Sequence, residues 1–498
     1  MAGSEAAKSA ASPVWVAAVA GSCKILEAAP PKVLGIGIGG EDVASQFQTA
    51  VASTRAACVA LQEVEDSAVE LALLRLCTNV CEVDHLLRAA GPAVPFGDLE
   101  ALDSVVDSGL AVALGGTVSG IALERASLSA RDGGLGLRRS REVQLPAFIA
   151  SRTEGRALAE DVASQLPPAL RDATFAVWDC EVNAAFEEWR RELPAGAAGV
   201  AGQMLAAAAE ASRRRAWQLG GDLPAAPLVQ TRARVAQALV APFGSTDFEP
   251  ETSQLCRLQT QLCDLASAQK AEWIRNQYVA ADDHSAVRQL QDLQDESSDH
   301  SWLWLFASNA GPPIRSHEFA TAVRLRIGAD IAPVGHTCAC CGGAMDQRAL
   351  HSLRCAPGES TRGHTGVCHV VHGLASLAES ASSSEPRGLV PSRPALRPAD
   401  VLTSAAFSVL AALDVCITSP DGEGAGADAC VSAAARKREH YSAVLEELED
   451  EGVTYKPLVW TCWGRPSPDA QAALRALASV AARRLGLADP RALEMRAL

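Results

Sequence analysis

Arg397-Pro398-Ala399-Asp400-Val401 and, further on, Leu413-Asp414-Val415-Cys416-Ile417 each set one acid against a short apolar run. With Pro457-Leu458-Val459-Trp460-Thr461 they form a series of strand-like segments whose connecting stretches read as helices. Short apolar runs alternating with helices are the pattern of an α/β domain, expected here over residues 373–498. Two acids on neighbouring short strands can converge on one Mg²⁺, a hard cation that takes carboxylate oxygens and keeps several waters. A metal so held activates a water against a phosphodiester. Lys437 and Tyr441 follow at i and i+4, on one helix face. A lysine there would steady the charge developing on a phosphate. An aspartate ahead of an apolar strand is also a common turn or cap residue, so spacing alone leaves both roles open.

Working back along the chain, Ser380 to Pro394 is rich in serine and proline and reads as a linker or long loop. Before it, histidines and cysteines crowd between His336 and His372. Cys338-x2-Cys341 and His351-x3-Cys355 offer two close ligand pairs on a short connector. The first pair can place both thiolates on one side of a tetrahedral Zn²⁺, with Gly342-Gly343 freeing the turn around it. His351 and Cys355, four apart, are expected on one face of a helix. Four protein ligands leave no open position, so the zinc would be structural. Cys340 competes with Cys341 for its place, and His336, His364 and Cys368 are alternative ligands. The zinc loop and the start of the next helix are assigned to residues 331–372.

The rest of the 498 residues reads as mainly α. Alanine and leucine, the strongest helix formers, dominate, while only 3 Tyr and 10 Phe appear. Residues 1–40 carry a strand pair or strand-turn within Lys32 to Gly40, and residues 41–170 and 171–330 are two helical regions. Gly133-Gly134-Leu135-Gly136-Leu137 and Pro167-Pro168 break the first region; Pro194 to Gly202 and Gly220 to Pro227 are expected to interrupt the second. Asp282 to His300 is polar and acidic and reads as an exposed helix or loop. Trp302, Trp304 and Phe306 suit core packing better than base stacking, and His440 suits a helix surface better than proton transfer.

A formal net charge of −15 argues against coating nucleic acid by bulk attraction and leaves only local basic surfaces. Arginine clusters at 138, 139 and 141, at 213–215 and at 483–484 are expected to be solvated helix faces. Fifteen cysteines without a signal-like N-terminus imply an intracellular chain with reduced, buried or metal-bound thiols. No uncharged apolar run reaches membrane-spanning length.

Several blocks then fall in one order. Cys23-Lys24-Ile25-Leu26 precedes Lys32-Val33-Leu34-Gly35-Ile36, and Leu73-Leu74-Arg75 precedes Leu86-Leu87-Arg88. Gly133-Gly134-Leu135-Gly136-Leu137-Arg138 comes next, with Leu145-Pro146-Ala147-Phe148-Ile149-Ala150-Ser151. The Cys338, Cys341, His351, Cys355 set follows, then Arg362 and His364, then Asp400, Asp414, Lys437, Tyr441 and Pro457-Leu458-Val459. In this order they resemble the C-terminal part of non-LTR retrotransposon reverse transcriptase polyproteins: late palm, thumb, CCHC zinc knuckle and restriction-like endonuclease. The resemblance implies Mg²⁺-dependent DNA nicking by Asp400, Asp414 and Lys437, with Tyr441 positioning or packing. It also implies a structural Zn²⁺ on Cys338, Cys341, His351 and Cys355, DNA or RNA as partners, a separate or missing polymerase segment, and a nuclear location.

The chain departs from that family in three places. Asp282-Asp283, the one Asp-Asp pair, lies far beyond the primer-grip match, so no polymerase activity is expected. Cys416 stands two residues after the second acid, where the family commonly has lysine, and the resemblance moves that role to Lys437. Trp460-Thr461-Cys462-Trp463-Gly464 lacks the acid or glutamine the family often shows before its glycine. The rival expectation is a non-catalytic zinc-binding remnant, or a domesticated module that binds nucleic acid or protein.

Overall fold

The computed structural model describes residues 32–33, 36–37, 40–164, 166–218, 257–304, 314–355, 359–407, 409–421, 426–487, 490 and 493. Cys23-Lys24-Ile25-Leu26, the Gly220 to Pro227 interruption and Phe306 lie outside them, as do the side chains of Arg213, Arg214 and Arg215. The described chain is mainly helical, with a small four-stranded mixed sheet near the C-terminus, and it divides into two units.

The first unit takes in most of residues 1–273. The glycine-rich start folds as a short antiparallel hairpin, β1 (Lys32–Val33) against β2 (Ile36–Gly37). Helices follow: α1 (Gly40–Leu61), α2 (Ser67–Leu76), α3 (Asp84–Ala90), α4 (Phe96–Ala113), α5 (Ile121–Ser127), α6 (Ser140–Ala163), α7 (Pro168–Arg191) and α8 (Ala195–Gln218). The long helix α9 (Arg257–Ala280) begins in this unit. Leu145, Phe148 and Ile149 of α6 bury against Phe186 and Trp189 of α7 and Leu258 and Leu262 of α9.

The start of α6 is capped from outside. Arg139 stands at the cap position without a side-chain bond, and Asp103 of α4 accepts instead from the Ser140 N–H at 2.7 Å and hydroxyl at 2.9 Å. The glycine block just before it is a close approach: a Cβ on Gly134 would lie 2.3 Å from the Leu128 carbonyl oxygen, where no side chain fits. The expected break at Pro194 to Gly202 is corrected, because α8 begins at Ala195 and runs through all three of its glycines. Each costs about 1 kcal/mol of helix propensity against alanine; the surrounding alanines and the fully buried Ala201, packed on α6 and α7, offset it.

The second unit holds most of residues 274–498. Here α10 (His284–Gln294), α11 (Ser316–Ile327) and α12 (Glu359–Ala378) precede β3 (Ser383–Ser384), β4 (Val401–Thr403) and β5 (Leu410–Thr418). Then α13 (Ala429–Asp450) crosses over to β6 (Val453–Thr461), and α14 (Pro468–Leu485) closes the unit. The sheet order is β3-β4-β5-β6, with the first pairs antiparallel and β5 parallel to β6. A parallel pair needs such a crossover helix, which buries one sheet face. Strand periodicity sorts β5: Ala411, Leu413 and Val415 pack with Leu374 of α12 and Leu474 of α14. On the opposite face Ala412 packs with Val444 and Leu448 of α13, and Cys416 with Cys430 and Ala433.

Two more expectations hold in part in this unit. Of the two alternatives for Ser380 to Pro394 the loop is found, but it is packed: β3 pairs with β4, and Val390 is fully buried beside Ala412 and Leu448. The acidic stretch Asp282 to His300 contains the helix α10, which is not wholly exposed, since it buries Leu290, Asp292 and Leu293. Asp292 is reached by Arg465 Nε at 2.6 Å, both side chains being 8% exposed, and Arg465 Nη2 also bonds Asp428, the cap of α13, at 3.1 Å. Taking away one member of a buried pair strands the other charge and costs roughly 3–5 kcal/mol. Arg465→Ala is therefore expected to lower unfolding stability by about that amount in a denaturant titration; a loss below about 1 kcal/mol, the worth of a solvated pair, would contradict the burial argument.

Candidate functional site

Two side-chain constellations in the second unit carry chemistry. The first is the Cys/His loop. Cys338, Cys341, His351 and Cys355 converge with their ligand atoms all within 4.8 Å, so they could bind a metal ion such as zinc. The loop is built around the first cysteine: the Gly342 N–H donates to the Cys338 carbonyl, and the Cys338 N–H to the Gly343 carbonyl, each at 2.8 Å. Gly342 takes the left-handed conformation at φ 70°, and a Cβ on Gly343 would come 3.3 Å from both the Cys341 sulfur and the His351 ring. The Asp346 carboxylate accepts the His351 N–H at 3.0 Å and the Leu350 N–H at 3.1 Å, which sets the second arm.

Tetrahedral zinc with Zn–S about 2.3 Å and Zn–N about 2.05 Å has ligand edges of roughly 3.8 Å between sulfurs and 3.6 Å between sulfur and nitrogen. Cys338 Sγ and Cys355 Sγ stand 3.6 Å apart, and Cys341 Sγ and His351 Nε2 3.1 Å apart. The Cys338–Cys355 contact is not a disulfide, and every described cysteine is a free thiol. Backbone N–H groups of Cys341 and Cys340 pull the Cys338 thiol below its usual range, toward the thiolate a metal needs.

The open choices of ligand resolve as follows. Cys341 joins the cluster and Cys340 does not; His336 lies outside it, and His364 and Cys368 belong elsewhere. His351 and Cys355 do not share a helix face. They flank a single tight turn, Ser352–Arg354, after which Cys355 is extended.

The second constellation sits where β4 meets β5. The antiparallel register pairs Val401 with Leu413, and the Asp400 N–H just before the strand donates to the Leu413 carbonyl at 2.9 Å, which sets Asp400 beside the Leu413-Asp414 stretch. Asp414 is a charge in the middle of a buried strand, 5% exposed. Its Oδ1 accepts from Lys437 Nζ at 2.9 Å and its Oδ2 from the Tyr455 hydroxyl at 2.5 Å. Asp400 Oδ2 accepts the Val415 N–H at 2.7 Å, and His364 Nε2 of α12 lies 3.6 Å from the same oxygen. Tyr441 touches neither acid: its hydroxyl donates to the Arg397 carbonyl at 3.3 Å, and its ring meets that of Tyr455 edge-on at 5.3 Å.

The two acids differ in character. Burial works against the Asp400 carboxylate, yet His364 and the Val415 N–H outweigh it and hold the group below the usual carboxylate range. At Asp414 burial prevails and pushes the carboxyl up in spite of Tyr455 and Lys437. Burial likewise opposes the Lys437 ammonium, but the Asp414 charge beside it prevails and raises it. Tyr455, buried and bonded to a carboxylate, is raised further and keeps its proton.

Tyr455 has no counterpart among the residues singled out from spacing. It is one of 3 tyrosines in the chain, and it follows Val453 and precedes Pro457 on the α13-facing alternation of β6, a signal visible once β5 and β6 are known to pair. The arginine clusters also need correction. Arg138, Arg139 and Arg141 are not merely solvated: they pair with Asp264 at 2.6 Å, Asp107 at 2.9 Å and Glu124 at 3.4 Å, and Arg139 is buried. Arg483 and Arg484 are exposed in the last turn of α14, where cations suit the helix C-terminus. Asp282 is exposed, whereas Asp283 caps α10 and pairs with Arg348 at 2.8 Å. Trp302 packs edge-on against Phe319, and His440 is exposed beside Tyr441.

No protein-family model matches the sequence, and no curated protein is significantly similar to it. Among the described residues no helix is long and apolar enough to cross a membrane. The Cys/His loop makes a sharp prediction between neighbouring cysteines. Cys341→Ser is expected to lose one bound zinc relative to the unchanged chain and Cys340→Ser none, by elemental analysis after dialysis. The reverse result would reassign the ligand.

Proposed function

We propose that Asp400, Asp414 and Lys437 form the centre of a Mg²⁺-dependent endonuclease in a retroelement-derived nucleic-acid-processing protein. The observation that supports it best is the meeting of two acids where β4 joins β5, Asp400 bonded through its N–H to the Leu413 carbonyl and Asp414 with the Lys437 ammonium at 2.9 Å. The donor set is all oxygen and one member is held ionised, which suits a hard cation. Asp400 and Asp414 would hold the ion, whose contribution is an activated water for phosphodiester attack. Lys437 would meet the scissile phosphate and offset its growing charge. Tyr455 orients Asp414 through its hydroxyl, and Tyr441 packs behind Tyr455.

In this reading the Cys/His loop is a zinc knuckle and the C-terminal sheet a restriction-like fold, and both, with the thumb-like helices, grip DNA or RNA. The chain's charge of −15 requires that grip to be local and strongly weakened by salt. Action on chromosomal DNA would place the protein in the nucleus. No polymerase step is assigned to these residues.

One observation favours a second reading, a non-catalytic zinc-binding module. Both oxygens of Asp414 are taken, by Lys437 and Tyr455, as in a buried pair that serves only the fold. Supercoiled plasmid with Mg²⁺ or Mn²⁺ separates the two. On the nuclease reading the full chain nicks it, Asp400→Asn and Asp414→Asn abolish nicking, Lys437→Met slows it by roughly a hundredfold or more, and Tyr441→Phe changes it little. No nicking by the unchanged chain, or undiminished nicking by both asparagine variants, rejects that centre and leaves the binding module.

A further inference from the structure

His364, Cys368 and Asp400 form a third meeting point of ligating atoms, separate from the Cys/His loop and used only in part by the acid pair. One ligand atom from each lies within 4.8 Å of the others. His364 and Cys368 are four apart on α12, so they share a face, and Asp400 arrives at the start of β4. His364 Nε2 stands 3.6 Å from Asp400 Oδ2 and 3.8 Å from Cys368 Sγ. The first is beyond an ordinary hydrogen bond. Both match the edges of a tetrahedral zinc polyhedron, roughly 3.4 Å between nitrogen and oxygen and 3.6 Å between nitrogen and sulfur.

The surroundings hold these atoms in place. The Val415 N–H fixes the Asp400 carboxylate at 2.7 Å, and His364 Nε2, which faces the Val415 carbonyl at 3.1 Å, would give up that contact to bind an ion. Cys368 packs against the core of Leu374 and Val415. All three residues are part-buried, which admits an ion from solvent while lowering the dielectric around it. Mixed nitrogen, sulfur and oxygen ligation suits a borderline-soft ion and not Mg²⁺.

We propose that His364, Cys368 and Asp400 bind a second zinc-class ion with one coordination position open. Three protein ligands and a free position are the arrangement of a zinc that carries water or substrate, in contrast to the closed loop site. The site shares Asp400 with the constellation of Asp414 and Lys437. Occupancy of this site by zinc therefore competes with Mg²⁺ for Asp400, and the site stands whether or not the acid pair cuts nucleic acid.

Zinc content and zinc-edge X-ray absorption of the full-length protein, dialysed at controlled nanomolar free zinc, test this directly. The unchanged chain is expected to hold two zinc ions with a mean of two sulfurs per zinc, the loop supplying three and Cys368 one. Cys368→Ala and His364→Gln should each weaken the second ion by roughly a hundredfold or more, leaving one zinc whose sulfur count rises to three. His364 is partly exposed, so the glutamine variant tests the site even if Cys368→Ala disturbs the core. One zinc of three sulfurs in the unchanged chain, or an unaltered second ion in both variants, overturns the assignment.

Discussion

A carboxylate in the middle of a buried strand governs the second unit. Asp414 occupies a position that the β5 alternation would fill with an apolar side chain, and it is 5% exposed. A buried ion without partners costs several kcal/mol, so the fold must bring donors to it. It does so from two different elements: Lys437 from α13 and Tyr455 from β6. The crossover helix and the parallel strand it leads to are thus tied to β5 by charge as well as by the contacts of Ala412, Val444 and Leu448. Asp400 joins from the other side, set beside the Leu413-Asp414 stretch by the β4–β5 register and by its N–H bond to the Leu413 carbonyl. A shift of one residue in that register would turn Asp414 toward α12 and α14 and Leu413 toward Lys437.

This constraint explains what spacing could and could not reveal. The short apolar runs were legible as strands because they are rich in β-branched and aliphatic residues and alternate with helix-like stretches, and Asp414 stood out as the acid within one of them. Lys437 was legible because helix periodicity is regular. Tyr455 was not, since its role depends on β5 and β6 lying side by side across an intervening helix, a long-range pairing that no local window contains. His364 was read only as a spare zinc ligand or a helix-opening residue; its approach to Asp400 again comes from tertiary packing.

The departures from the local reading have a common cause. Glycines from 196 to 202, serines and prolines from 380 to 394, and acids from 282 to 300 all carry loop-like composition, and each stretch is partly drawn into order by a few buried side chains. Ala201, Val390 and Leu290 are fully buried or nearly so, and that burial outweighs weak local propensity. The paired arginines at 138, 139 and 141 show the same principle for charge: their carboxylate partners come from elsewhere in the chain, so a basic run in sequence is not a basic surface in space.

Ligand chemistry, finally, sorts the acidic and thiol-bearing residues of the second unit by hardness, and Asp400 falls on the boundary. The loop of Cys338, Cys341, His351 and Cys355 brings together four soft or borderline donors that could bind a metal ion such as zinc. Asp414 is a hard donor, but buried and already bonded, and it can turn to a cation only as Lys437 turns away. Asp400 faces both the oxygen donor on β5 and the nitrogen and sulfur donors on α12. Its carboxylate is held below the usual range while that of Asp414 is pushed up, so the two acids differ in charge as well as in partners. In the proposed readings a hard ion at Asp400 would take Asp414 as its second oxygen donor, and a borderline ion would take His364 and Cys368 instead.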